Sequence, residues 1–156
     1  MTEVEFFDKI HHKYREANKL IEGDGNFNIK RGMAHTMSGY LEDLFALYLA
    51  KKINRTDLLF YVDKVFSIRL NPNTKAKSYK PDLMIIDDNR LTHYFDLKSN
   101  LGWNRDARHY LEQKNDLIKN LRGKEAWIRD KIDGSVQEII ISKDLTYHMV
   151  VVFGGN

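Results

Sequence analysis

The sequence predicts an α/β domain with a mixed central sheet flanked by helices. Three observations point there. Two amphipathic helical segments open the chain, β-forming segments fill 57–98, and another amphipathic helix precedes further strands. The resulting order, α, α, β, β, β, α, a short α, β, β, places helices on the faces of one sheet. At 156 residues the chain fits one compact domain over 1–156.

Residues 3–21 carry Val4, Phe7, Ile10, Tyr14, Ala17 and Ile21 at spacings of three and four, the period of a helix with one apolar face. Gly23, Asp24, Gly25 and Asn26 stop it. A second helix is expected over about 35–53, with Met37, Leu41, Leu44, Phe45, Tyr48 and Leu49 as its stripe. Residues 57–70 read as a strand, or as two halves of one bent strand. A polar loop over 71–78 leads to a hairpin: strands 79–86 and 91–98 joined by the turn Asp87, Asp88, Asn89, Arg90. Residues 99–105 form a loop. Asp106 caps a helix running to Arg122, where Gly123 stops it. A short helix is expected at 124–131, and strands at 136–142 and 147–153. The helix between the hairpin and the last strands suits a crossover that makes a later strand parallel to an earlier one.

Composition excludes several classes. Hydrophobic residues make up 42% and aromatics 12%, enough for a packed core rather than a disordered chain. There is no cysteine, so disulfides, thiolate metal sites and cysteine nucleophiles are ruled out. No apolar run reaches membrane-span length, and early acids at Glu3, Glu5 and Asp8 are unlike a signal peptide. A cytoplasmic location without membrane contact is expected. Net charge is +3, compatible with a polyanionic partner. No Walker or Rossmann motif is present, so no nucleotide cofactor is expected. The six histidines lack metal-ligand spacing; His93 reads as a core histidine.

The hairpin carries the chemistry. Strand side chains alternate faces, so Leu91, His93, Phe95 and Leu97 are expected on one face and Thr92, Tyr94, Asp96 and Lys98 on the other. Asp96 and Lys98 then point the same way, roughly 6–7 Å apart. Asp82 begins the partner strand and lies across from 95–98. Two carboxylates and an ammonium converge at one end of a sheet. Two carboxylates suit magnesium, together with water and phosphate oxygens. The metal polarises a scissile phosphate and acidifies a bound water, while Lys98 orients that water or meets developing charge. The backbone carbonyl of Leu97 is a further candidate metal oxygen. On helix 35–53, Glu42 sits about 100° round from Leu41 and Asp43 about 200° round. Glu42 is therefore the helix carboxylate at the rim of the buried face, a candidate for a second metal or a supporting role; Asp43 faces solvent.

Around this cluster, Lys75, Lys77 and Lys80 enter the site from the polar loop, and Ser99 and Asn100 leave it. Arg105, Arg108, Gln113 and Lys114 follow on the next loop and helix. These are candidate contacts to a phosphate backbone. A solvated loop and helix face is the plain alternative for each of them.

The motif Pro81, Asp82, then Asp96, Leu97, Lys98, with an upstream helical Glu42, resembles the PD-(D/E)XK nuclease superfamily, whose best-known members are type II restriction endonucleases. The resemblance covers 35–153, read as a catalytic core with the αβββαβ order of that superfamily; residues 1–34 add an N-terminal helix and loop. It implies a magnesium-dependent endonuclease acting on DNA, with manganese able to substitute. Asp82 and Asp96 would bind the metal, Lys98 assist the water and Glu42 complete the site. A restriction or defence role is the first expectation; repair or resolvase cleavage, RNA cleavage and a non-catalytic nucleic-acid-binding module are alternatives. Cutting both strands of a duplex implies a homodimer, with helix 3–21 the candidate contact. Some repair subfamilies carry Gln-x-x-x-Tyr on the following helix; here Gln113 is followed by Leu117.

Overall fold

The computed structural model describes residues 1–19, 37–98 and 107–152. Among these, three helices and seven strands form an α/β arrangement around one mixed sheet. The helices are α1 (Glu3–Lys19), α2 (Ser38–Ile53) and α3 (Ala107–Leu121). The strands are β1 (Leu59–Val62), β2 (Phe66–Ile68), β3 (Lys77–Tyr79), β4 (Leu83–Asp87), β5 (Arg90–Lys98), β6 (Glu125–Arg129) and β7 (Val136–Val151). The sheet order is β1-β4-β5-β7-β6-β2-β3.

The sheet is folded over, because a single bent hairpin supplies four of its strands. Leu59 faces Ile86 and Val62 faces Leu83; beyond the interruption, Phe66 faces Tyr79 and Ile68 faces Lys77. Each step up one arm matches a step down the other across the gap, so β1 and β2 are halves of one bent strand, as are β3 and β4. Asp63, at φ 52, breaks the first arm; Lys80 and Pro81 break the second. Proline has no N–H for a ladder, which suits the kink. Beyond the bend, β2 pairs with β6, β6 with β7, β7 with β5 and β5 with β4. The hydrogen-bonded circuit therefore closes. Phe66 on β2 and Tyr94 on β5 meet edge to face across the interior, ring centroids 6.4 Å apart.

Two apolar clusters follow from strand alternation. Met84, Ile86, Leu91 and Tyr94 point inward with Phe66, Ile128 and Ile141, and α3 plugs the fold with Ile118 and Leu121. Leu83, Ile85, Phe95 and Leu97 point outward beneath α1 and α2, which contribute Phe6, Ile10, Leu41, Leu44 and Phe45. α3 is the crossover between β5 and β7, which run parallel.

Several elements differ from expectation. The 79–98 hairpin turns more tightly: Asp87 pairs with Arg90, leaving Asp88 and Asn89, both at positive φ, as a two-residue turn of the twisted type. Leu91 lies inward rather than with Phe95, because register irregularities in both ladders around 91–93 interrupt strict alternation. The loop expected at 71–78 ends in β3. The segment 124–131 is strand β6, not a helix; Ala126 and Ile128 are buried on alternate positions and pair with both β7 and β2. The two final strands form one element, β7, with a break in its pairing between Ile141 and Thr146. On α1, Ile10 of the expected stripe is buried together with Phe6, which the stripe did not include, while Val4 and Phe7 are exposed. The segments 20–36, 99–106 and 153–156 lie outside the described residues, including the expected cap Asp106. No helix among the described residues is long and apolar enough to cross a membrane.

Under α2, His148 stacks on Phe95 at 4.5 Å and on His93 at 5.5 Å between centroids. His93 Nδ1 lies 2.9 Å from Thr92 Oγ1, but His148 Nε2 is buried without a hydrogen-bond partner among the described residues. Burial lowers both pKa values below 6.5, and His93 lowers that of His148 further. The fold thus favours the neutral rings: their contribution is complete above pH 6.5 and is lost as pH falls toward the depressed folded values. His148→Phe keeps the stack and removes the orphaned nitrogen. We expect it to raise stability by about 1 kcal/mol and to flatten the decline below pH 6.5, as read from urea melts across pH.

Candidate active site

Asp82 is fixed by the kink that folds the sheet. Its N–H donates to Phe95 O at 3.1 Å and its carbonyl accepts from the Asp63 N–H at 3.0 Å. Its carboxylate then takes over from the ladder: Oδ2 accepts the Leu97 N–H at 2.6 Å. Leu97 lies between Asp96 and Lys98, so Asp82 is drawn against the chain segment carrying both. Leu97 thus meets Asp82 through its N–H.

Asp96 is the one charged side chain among the described residues that is buried, at 5% exposure. Three donors converge on its Oδ2: Lys114 Nζ at 2.8 Å, the Tyr110 hydroxyl at 2.7 Å and the Tyr147 hydroxyl at 3.0 Å. Burial alone favours the protonated acid, but Lys114 and Tyr110 outweigh it and hold the pKa below the ordinary carboxylate value. Asp96 is therefore ionised at neutral pH. Tyr110 and Tyr147 are pushed the other way, by burial and by Asp96, so both remain protonated donors.

The face assignments for this end of β5 follow alternation. Tyr94, Asp96 and Lys98 point toward α3, opposite Phe95 and Leu97. Lys98 is half-buried, with Nζ 5.8 Å from the Tyr110 ring centroid. Tyr110 and Lys114, four residues apart, share one face of α3. The Lys114 ammonium lies 5.1 Å from the Tyr94 centroid, 5.5 Å from Tyr110 and 5.8 Å from Tyr147. Such contacts suit a cation removed from water.

On the other side of the sheet, Glu42 is half-buried on α2 and Asp43 is exposed. Burial, then the negative charges of Asp82 and Asp63, raise the Glu42 pKa. That coupling puts Glu42 in the electrostatic neighbourhood of Asp82. Among the described residues, no group of three or more His, Asp or Glu side chains is arranged to hold a metal ion. Asp82 and Asp96 each commit one oxygen to the protein, which is unlike an all-protein metal cage.

The outlying candidates fare differently. Lys75 and Lys77 are exposed at the entry to β3. Lys80 pairs with Asp63 at 2.6 Å. Arg108 and Gln113 are both exposed, Arg108 pairing with Glu112 at 3.2 Å and Gln113 lying 2.8 Å from His109. The inward stripe of α3 runs through Tyr110, Lys114, Leu117 and Leu121, which turns 108 to the far side and leaves 113 on its flank. Ser99, Asn100 and Arg105 lie outside the described residues. The tyrosines were missed from the sequence. A lysine on the apolar stripe of α3 was the available signal, since such a charge needs a buried partner.

Comparison with known proteins found no matching family model, no matching curated protein and no matching solved structure.

Removing one member of a buried pair leaves the other charge uncompensated, which costs about 3 kcal/mol or more. We expect Lys114→Met to lose that much in urea denaturation, and Asp96→Asn with Lys114→Met to regain a large part of it. Additive losses would show that the two residues do not act as a pair.

Proposed function

We propose that this chain is a magnesium-dependent nuclease that hydrolyses DNA phosphodiester bonds, on a restriction-endonuclease-like core. The observation that carries the reading is the Asp82 Oδ2 contact to the Leu97 N–H at 2.6 Å, which draws both carboxylates and Lys98 to one end of the β4–β5 hairpin. With β1–β2 and β3–β4 taken as single bent strands, the order after α1 is αβββαββ, which contains the αβββαβ order that the resemblance implies with β6 added before the last strand. Glu42 on α2 lies near Asp82, as that reading requires.

Asp82 and Asp96 would hold the ion. Bound there, magnesium would supply Lewis acidity to the phosphate and lower the pKa of a bound water. Asp96 reaches that role already ionised, because Lys114 and the tyrosines stabilise its charge. Lys98, half-buried on the same face, keeps its ammonium near the reacting water and meets charge growing on phosphorus. Burial and the charge of Asp82 raise the Glu42 pKa, and a cation at Asp82 would offset part of that shift. Exposed Lys75 and Lys77 offer backbone contacts to the nucleic acid. A restriction or defence role, with two chains cutting a duplex, remains the preferred use.

One observation favours a second reading. Asp96 is already satisfied by an ammonium and two hydroxyls, as a structural ion pair would be. A nucleic-acid-binding module that does not cut would have this arrangement too.

Cleavage separates the two. Supercoiled plasmid and phage DNA are incubated with magnesium, manganese or EDTA, using wild type, Asp82→Asn and Lys98→Ala. We expect cleavage with either metal, none in EDTA, and losses of about 100-fold or more in both variants. DNA binding without cleavage under any metal would favour the module. Activity surviving EDTA or Lys98→Ala would remove the mechanism.

A further inference from the structure

The outer face of β6 and β7 carries polar groups that the fold does not use. Ala126, Ile128, Ile139 and Ile141 point into the inner cluster, so alternation turns Glu125, Trp127, Glu138 and Ile140 outward. Glu138 lies directly opposite Trp127, and Ile140 opposite Glu125. The part of the outer face that α1 and α2 cover lies over β4 and β5. Here Glu125, Glu138 and Ile140 are exposed and Trp127 is half-buried.

Two further segments turn this stretch into a cavity of about 500 Å3, a size suited to a small ligand. Arg69 enters next to Ile68, whose ladder partner is Ala126. Asn89 enters from the β4–β5 turn, whose carbonyl accepts the Ile140 N–H at 2.9 Å. Among the described residues, the side chains of Arg69, Glu125, Trp127 and Glu138 make no hydrogen bond or ion pair. Their bonding capacity is unspent.

The arrangement selects a class of ligand. β6 lies between β2 and β7, so Arg69 and Glu138 flank Trp127 from either side. Two strand spacings separate them, roughly 10 Å, which leaves room for one ring system. An indole offers a flat apolar face on which a base stacks. A guanidinium fork matches two adjacent acceptors, and a carboxylate matches two adjacent donors. Among the bases, guanine presents both: O6 and N7 on one edge, N1–H and the N2 amino group on the next.

We propose that this cavity takes an unpaired guanine base, stacked on Trp127, with Arg69 on O6 and N7 and Glu138 on the N1–H and N2 donors. Asn89 and Asp96 stand seven residues apart on the chain, so the cavity lies at the other end of β5, roughly 23 Å from Asp96. It is a recognition site separate from the Asp82 and Asp96 cluster and does not depend on cleavage there.

The probes are guanosine, adenosine, cytidine and uridine monophosphates, and single-stranded oligonucleotides holding one guanine in a thymine tract. Binding is measured in EDTA, by calorimetry on the wild type and by indole fluorescence on a Trp103→Phe background, where Trp127 is the remaining tryptophan. Quenching of Trp127 by guanine, with affinity about tenfold or more above that for the other bases, is the expected result. Trp127→Ala is expected to weaken binding about tenfold or more, and Trp127→Phe to keep most of it. Glu138→Gln, checked for folding by circular dichroism, is expected to lose the preference for guanine over adenine. A response to the strand without one to the mononucleotide assigns the guanine to a nucleic acid; the reverse assigns it to a free nucleotide. No binding of any probe at millimolar concentration overturns the proposal. So does equal affinity for all four bases, or quenching by maltotriose in their place. The readout needs neither metal nor cleavage, so its failure and that of the nuclease reading are told apart.

Discussion

The rest of the structure is arranged around one buried negative charge. Asp96 sits at the seam of β5, β7 and α3, where an unpaired carboxylate would cost several kcal/mol. Its partners come from the two elements that follow it in the chain: Tyr110 and Lys114 from α3, Tyr147 from β7. Satisfying Asp96 therefore sets how the crossover helix seats and how the last strand registers beside β5, with Tyr94 opposite Tyr147. Such a pair adds little net stability over an apolar substitute of the same shape. Its effect is on arrangement, since only one docking of α3 delivers both its donors.

A second constraint, the bend in the long hairpin, brings Asp82 to that seam. The bend lets one strand pair serve both halves of a folded sheet and interrupts the ladder at Pro81. The interruption leaves the Leu97 N–H without a main-chain acceptor, and the Asp82 carboxylate takes it. Fold and site are thus the same event at this point. The kink that closes the sheet also sets a carboxylate beside Asp96 and Lys98, with Glu42 close enough to feel its charge.

Much of this was legible in the sequence. The three helices, the stripe of α2, the hairpin and the shared face of Asp96 and Lys98 all follow from local spacing, and the crossover helix suited a parallel later strand. What failed depended on distant contacts. Residues 124–131 looked helical because Ala, Trp and Ile fit either state at that length; strand β6 was decided by β2 and β7 on both sides of it. Leu91 was misplaced because irregular pairing is not visible in an alternating pattern. Tyr110 and Tyr147 are ordinary aromatic positions until their hydroxyls meet one oxygen, 14 and 51 residues away in sequence. Arg108 was chosen by nearness in sequence, whereas the helix stripe decides which side chains of α3 reach the sheet.

A structural ion pair and a metal-binding carboxylate place different demands on Asp96, and its second oxygen decides between them. The most direct measurement is anomalous diffraction from crystals of the chain soaked in Mn2+. A peak bonded to oxygens of both Asp82 and Asp96, with Lys114 still on Oδ2, is the predicted result. No peak at that position, at a metal concentration that supports DNA cleavage, would contradict the assignment of the site.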